Sequence, residues 1–138
     1  MTTLHNKAVL VEYFRAFGAR DVEAMANCTS NDYEHEMLGS TVLGGKRSKQ
    51  EMISLVSGLR SHGFSDASFK FHEVVAEGDY VSAIITSISE LPTGERMDGL
   101  YCVTCRFRDG KIVVMRELLD TKKTDEVMAR IGDRLVKP

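Results

Sequence analysis

A chain of 138 residues with 43% hydrophobic and 28% charged residues has the size and balance of one globular domain, 1–138, which excludes disordered and fibrous classes. Its net charge of -2 gives no general attraction to nucleic acid or anionic membrane, and neither is expected as a partner. No segment approaches the roughly 20 apolar residues of a membrane span, and the N-terminus lacks signal-peptide features, so a cytoplasmic location is expected.

The first predicted helix runs from about Leu4 to Phe17, because Leu10, Tyr13, Phe14 and Phe17 recur at i, i+3, i+4 and i+7 and form one apolar stripe. Gly18 ends it. A short second helix, from Asp21 to about Cys28, takes Asp21 as N-cap and turns Val22, Met25 and Ala26 inward. Thr29-Ser30-Asn31-Asp32 reads as a turn, with a short extended piece from Tyr33 to Leu38, and Gly44-Gly45 breaks the chain again. The basic run Lys46-Arg47-Ser48-Lys49 carries no interleaved aromatics and reads as solvated surface. Ser48-Lys49-Gln50-Glu51 matches a capping box and opens a third helix to about His62, with Met52, Val56 and Leu59 inward.

Beyond Ser68 the periodicity changes to strands over 69–76, 80–90, 97–107 and 111–119. The turn sequences Glu77-Gly78-Asp79, Pro92-Thr93-Gly94 and Arg108-Asp109-Gly110 separate them. A last amphipathic helix carries Val127, Met128, Ile131 and Leu135. Helices followed by a four-strand meander predict an α+β fold: a curved antiparallel sheet with N-terminal helices enclosing an apolar pocket. Ile112-Val113-Val114-Met115 is apolar on both parities, so both sheet faces need cover. Helices cover one, and a second copy in a homodimer is expected on the other.

The three cysteines include Cys102-Val103-Thr104-Cys105, but three residues along a strand separate the Cα atoms by roughly 10 Å and point the side chains apart. A disulfide needs about 4.4–6.8 Å. Reduced thiols are expected, with neither a redox pair nor a zinc site.

Two carboxylate positions stand out. Val113, Met115, Glu117 and Leu119 share one strand face by period 2. If that face is interior, Glu117 is desolvated, its proton affinity rises, and it can shuttle a proton near neutral pH. Pairing with a cation at the sheet edge is the plainer alternative. In Glu34-His35-Glu36 the histidine alternates away from both glutamates, so the tripeptide reads as a solvated edge and no metal site is expected. Tyr13 lies in the helix stripe, where most tyrosines are core residues with one hydroxyl partner. His72 falls opposite Phe71 in its strand and reads as surface or interface.

The segments 13–25, Ala76-Glu77-Gly78-Asp79-Tyr80-Val81, Leu91-Pro92-Thr93-Gly94, 107–112 and 115–120 resemble the nuclear transport factor 2-like superfamily, in its SnoaL-like, ketosteroid isomerase-like and limonene epoxide hydrolase-like branch, which implies a cone-shaped curved sheet. By that resemblance, Tyr13 takes the place of the isomerases' oxyanion-donating tyrosine, and Glu36 that of their general-base aspartate. Their second acid donor falls near Cys102 or Val103, neither of which is an acid. Glu117 matches a catalytic carboxylate on the last strand of the hydrolase and the cyclases. The hydrolase's arginine and other aspartate fall on Ile84 and Thr86. The resemblance also places Ile84, Thr86 and Met115 on the pocket wall. Whether Tyr101 and Val103 or Cys102 and Thr104 join them depends on a one-residue register. Phe17, Val103 and Leu119 complete the candidate substrate-binding set.

Together these features imply a cofactor-independent isomerase, cyclase or epoxide hydrolase-like enzyme acting on a small hydrophobic carbonyl or epoxide compound. The catalytic candidates are Glu117, Glu36 and Tyr13. The alternative is a non-catalytic protein of the same fold that binds a small hydrophobic ligand.

Overall fold

The computed structural model describes residues 2–131. Helix α1 (Thr3–Gly18) begins at the N-cap Thr2, whose side chain accepts from the His5 amide. Its stripe buries Leu10, Tyr13 and Phe14. Phe14 packs edge-on against Phe69 and Phe71, at 5.2 and 5.8 Å between ring centroids. Gly18 is required by a close backbone contact at the end of helix α1. A Cβ at Gly18 would collide with the carbonyl oxygen of Ala67, and the Ala67 amide donates to the Gly18 carbonyl at 2.9 Å. Only glycine permits that approach.

Helix α2 (Val22–Cys28) starts from Asp21, whose carboxylate accepts from the Ala24 amide, as its cap sequence predicts. The segment read as a turn at 29–32 instead opens strand β1 (Thr29–Met37), with Asn31 and Asp32 exposed at a register shift. Strand β2 (Gly45–Ser48) occupies the basic run read as plain surface and pairs antiparallel with β1. The full capping box of Ser48 and Glu51 then opens α3 (Lys49–Ser61). Strands β3 (Ser68–Glu77), β4 (Tyr80–Ile88), β5 (Gly99–Arg108) and β6 (Lys111–Leu119) form the expected antiparallel meander. At the β5–β6 hairpin Asp109 and Gly110 both take positive φ, 53° and 76°, the primed-turn geometry that matches strand twist. Helix α4 (Thr121–Ile131) closes the described chain. Leu135 lies outside the described residues, as do the side chains of Met128 and Ile131.

The sheet order is β2-β1-β6-β5-β4-β3. It is mixed rather than antiparallel throughout, because β1 runs parallel to β6. That pairing corrects the expected topology and matters most for function, since it lays β1 along the strand that carries Glu117. The inner face holds Val81, Ala83, Ile85, Val103, Cys105, Phe107, Ile112 and Met115, joined in one core with α1, Met25 of α2, and Met52 and Val56 of α3. Among the described residues no helix is long and apolar enough to cross a membrane.

Candidate active site

Glu117 is buried on the inner face, only 7% exposed, opposite Val103 on β5 and Met37 on β1. Met115 and Leu119 are buried with it, as period 2 requires. Val113 does not share the pattern cleanly. The β5–β6 pairing jumps from Arg106↔Val114 to Phe107↔Ile112, which leaves Val113 in a bulge.

The partner of Glu117 is a side chain that the sequence reading set aside. His35 on β1 is 4% exposed, and its Nε2 lies 2.9 Å from Glu117 Oε2. The parallel register pairs His35 with Met115 and Met37 with Glu117, so His35 and Glu117 are same-face neighbours two positions apart. The tripeptide is therefore no solvated edge at its centre. Alternation does separate the three side chains as expected, and that same alternation sends Glu36 to the other face. There Arg116 Nε donates to Glu36 Oε1 at 3.1 Å. Glu36 is thus removed from the interior group, for a geometric reason: the resemblance supplied the position, but the strand parity points it away.

Tyr13 reaches the inner face from α1. Its hydroxyl lies 2.9 Å from that of Tyr33 on β1, and the Tyr33 O–H donates to Met115 Sδ at 3.8 Å. Each phenol has one proton, so with Tyr33 committed to sulfur, Tyr13 donates to Tyr33. Tyr101 and Val103, not Cys102 and Thr104, face inward on β5. Burial raises the proton affinity of Tyr13, Tyr33 and Tyr101, and a negative charge on Glu117 raises it further, with Tyr101 pushed up to about 12. Cys105 is raised by the same two causes. One carboxylate thus acts electrostatically on three phenols and a thiol.

Two binding candidates are misplaced. Ile84 is 38% exposed and pairs with Cys102 on the outer face, and Thr86 bonds the exposed His72 at 2.9 Å on that same face. Strand β4 is apolar on both parities, so its alternation decides nothing alone. Val81, Ala83 and Ile85 turn inward because α1 covers their side. Phe17 is half-buried against Phe69, at 5.9 Å between centroids, and Phe69 in turn meets Tyr101 at 6.3 Å.

The interior of the sheet is a packed apolar cluster with aromatic rings in contact across it. Two surface depressions of about 390 and 610 Å³ lie elsewhere, and neither is lined by Glu117, His35 or Tyr13. No group of three metal-ligating side chains is found among the described residues.

The fold is that of the nuclear transport factor 2-like superfamily. Within it, the chain belongs to the SnoaL-like domain family, whose family pattern matches residues 10–115. No curated protein matches the sequence. Among solved structures it is similar to AclR of Streptomyces galilaeus, provisionally described as a hydroxylase. The identity is 23%, the TM-score 0.73, and 95% of this chain and 87% of that one are covered. PrhC of Penicillium brasilianum shares 12% identity at a TM-score of 0.84, covering 97% and 92%. IdmH of Streptomyces antibioticus, provisionally described as a polyketide cyclase, shares 18% at 0.71, covering 92% and 98%. At these identities the likeness is one of fold.

Proposed function

We propose that the protein is a cofactor-independent acid/base enzyme acting on a small hydrophobic carbonyl compound, by isomerisation or intramolecular aldol-type ring closure. The observation that carries this reading is Glu117, buried on the inner face where its charge acts on the buried, hydrogen-bonded Tyr13–Tyr33 hydroxyl pair. The SnoaL-like family pattern and the provisional polyketide cyclase label of IdmH support it by analogy of fold.

The parts suffice for a balanced proton transfer. The Glu117 carboxylate takes a proton from carbon next to the carbonyl, and the electron pair of that C–H bond moves into an enolate. Its oxygen accepts a hydrogen bond from Tyr13. For Tyr13 to donate outward, the hydroxyl chain must reverse, with Tyr33 releasing Met115 and donating to Tyr13 instead. That exchanges a weak O–H···S contact for a charge-assisted one. The protonated Glu117 then returns its proton, to a different carbon in an isomerisation or to the new alkoxide in a ring closure. An epoxide opening receives less support, since the positions matching the hydrolase's other two catalytic groups, Ile84 and Thr86, face outward.

The outer sheet face is proposed as the contact between two copies. Val75, Ile84, Leu100 and Leu118 are each more than a third exposed there, and large apolar side chains gathered on one exposed sheet face favour an interface.

The decisive test of the catalytic reading is proton exchange at the activated carbon of a small ketone such as 2-tetralone, followed by NMR in deuterated water. Wild type is expected to exchange it and Glu117→Gln to lose most of that rate. Equal rates would remove the reading.

A further inference from the structure

The strand register supplies Glu117 with a partner, and burial together with hydrogen bonding fixes the proton arrangement of that pair. His35 Nε2 and Glu117 Oε2 are 2.9 Å apart, with side chains only 4% and 9% exposed. The other ring nitrogen, Nδ1, is buried and has no hydrogen-bond partner among the described residues.

Three arrangements fit the 2.9 Å contact, and two of them share a defect. An imidazolium donating to the carboxylate carries a second N–H at Nδ1. A protonated Glu117 donating to Nε2 requires the neutral ring to hold its proton at Nδ1. Both strand a buried donor with nothing to receive it, and orphaned buried N–H groups are rarer than under-used acceptors. The third arrangement puts the ring proton on Nε2 and leaves Nδ1 a bare acceptor.

We propose that His35 is the positioning residue for Glu117: as the neutral Nε2–H tautomer it donates to Oε2 and leaves Oε1 as the oxygen that exchanges protons with the ligand. The inference rests on the reading of Glu117 as proton carrier. Among the described residues Glu117 makes no other hydrogen bond, so Oε1 is the open oxygen. Nδ1 is out of solvent contact and cannot itself touch a ligand, so His35 acts through the carboxylate. The carboxylate's torsion is broad. One fixed hydrogen bond converts a swinging group into an aimed one, which is where orientation contributes to rate.

Long-range ¹⁵N–¹H NMR on the ligand-free, histidine-labelled protein tests the tautomer directly. His35, one of four histidines, is expected to show a pyridine-type Nδ1 and a pyrrole-type Nε2 at neutral pH. A pyrrole-type Nδ1, or an imidazolium, overturns the proposal. A second test compares His35→Gln, which keeps an N–H donor, with His35→Leu, which does not, in the 2-tetralone exchange assay. His35→Leu is expected to lose roughly ten- to a hundredfold in kcat with KM nearly unchanged, the worth of one hydrogen bond to a charged group. His35→Gln is expected to recover most of it. Equal losses in both would reduce His35 to packing and sink the proposal. If wild type and Glu117→Gln exchange the ketone alike, the proton-carrier reading fails instead, and the tautomer result identifies which of the two ideas was at fault.

Discussion

The hydroxyls of Tyr13 and Tyr33 lie 2.9 Å apart, joining a helix to a strand twenty positions later across the interior. Their bonding is not symmetric, because Tyr33 also donates to Met115 while Tyr13 has only Tyr33. Removing the Tyr33 hydroxyl leaves the Tyr13 hydroxyl buried without a partner. Tyr33→Phe is therefore expected to cost about 1–3 kcal/mol, and Tyr13→Phe about 0.5–1.5 kcal/mol. Urea unfolding of the two variants and the double mutant measures both costs and their coupling. A smaller cost for Tyr33→Phe than for Tyr13→Phe would contradict the bonding order.

Alkali should unfold the protein through its phenols. Tyr101 is raised from 10.0 to about 12 by burial, and Tyr13 and Tyr33 are raised as well. A raised folded value means the native state holds the proton more tightly. The stabilisation is complete below the unfolded value of about 10 and is lost as pH rises from there through about 12 for Tyr101. Circular dichroism against pH is expected to show stability constant below about 10 and falling steeply above it. Ionisation of all three tyrosines before any loss of structure would refute the assignment.

Glu36 and Glu117 should separate cleanly on substitution. Glu36 bonds Arg116 on the outer face, where an ion pair is worth about 0–1 kcal/mol. Glu36→Gln is expected to leave both stability and ketone exchange near wild type, whereas Glu117→Gln removes exchange. Loss of exchange in Glu36→Gln with the fold intact would return Glu36 to the site.

The cysteines report both the fold and the assembly. Cys28 and Cys105 are buried and Cys102 is exposed on the outer face. A thiol reagent is expected to find one reactive cysteine in the native chain and three after denaturation. If two copies meet on the outer face, Cys102 should react more slowly as protein concentration rises. Light scattering should then give about twice the 15.4 kDa chain mass. A 15.4 kDa mass at micromolar concentration would exclude the dimer.

Helix boundaries, caps and the meander were legible in the chain because they rest on local chemistry. The 3.6-residue stripe of α1, the Asp21 cap, the Ser48–Glu51 box and the Asp109-Gly110 turn each act within a few residues. Period 2 in β6 put Glu117, Met115 and Leu119 on one face in the same way, and the packing of the sheet made that face the interior. Strand β4 shows where that signal stops: with apolar residues on both parities, the placement of Ile84 and Thr86 waited on which face α1 covers.

The partner of Glu117 was beyond reach of any local pattern. Residues 29–37 are mostly polar and begin with turn formers, so an extended piece from Tyr33 could be read but not the longer strand or the face it buries. Their strand character comes from pairing with β6, 82 positions away for His35 and Glu117. Sequence by itself determined that an acid would sit on an apolar face. The parallel register between two distant strands, a contact that depends on chain closure rather than on neighbours, decided that a histidine rather than Glu36 would stand beside it.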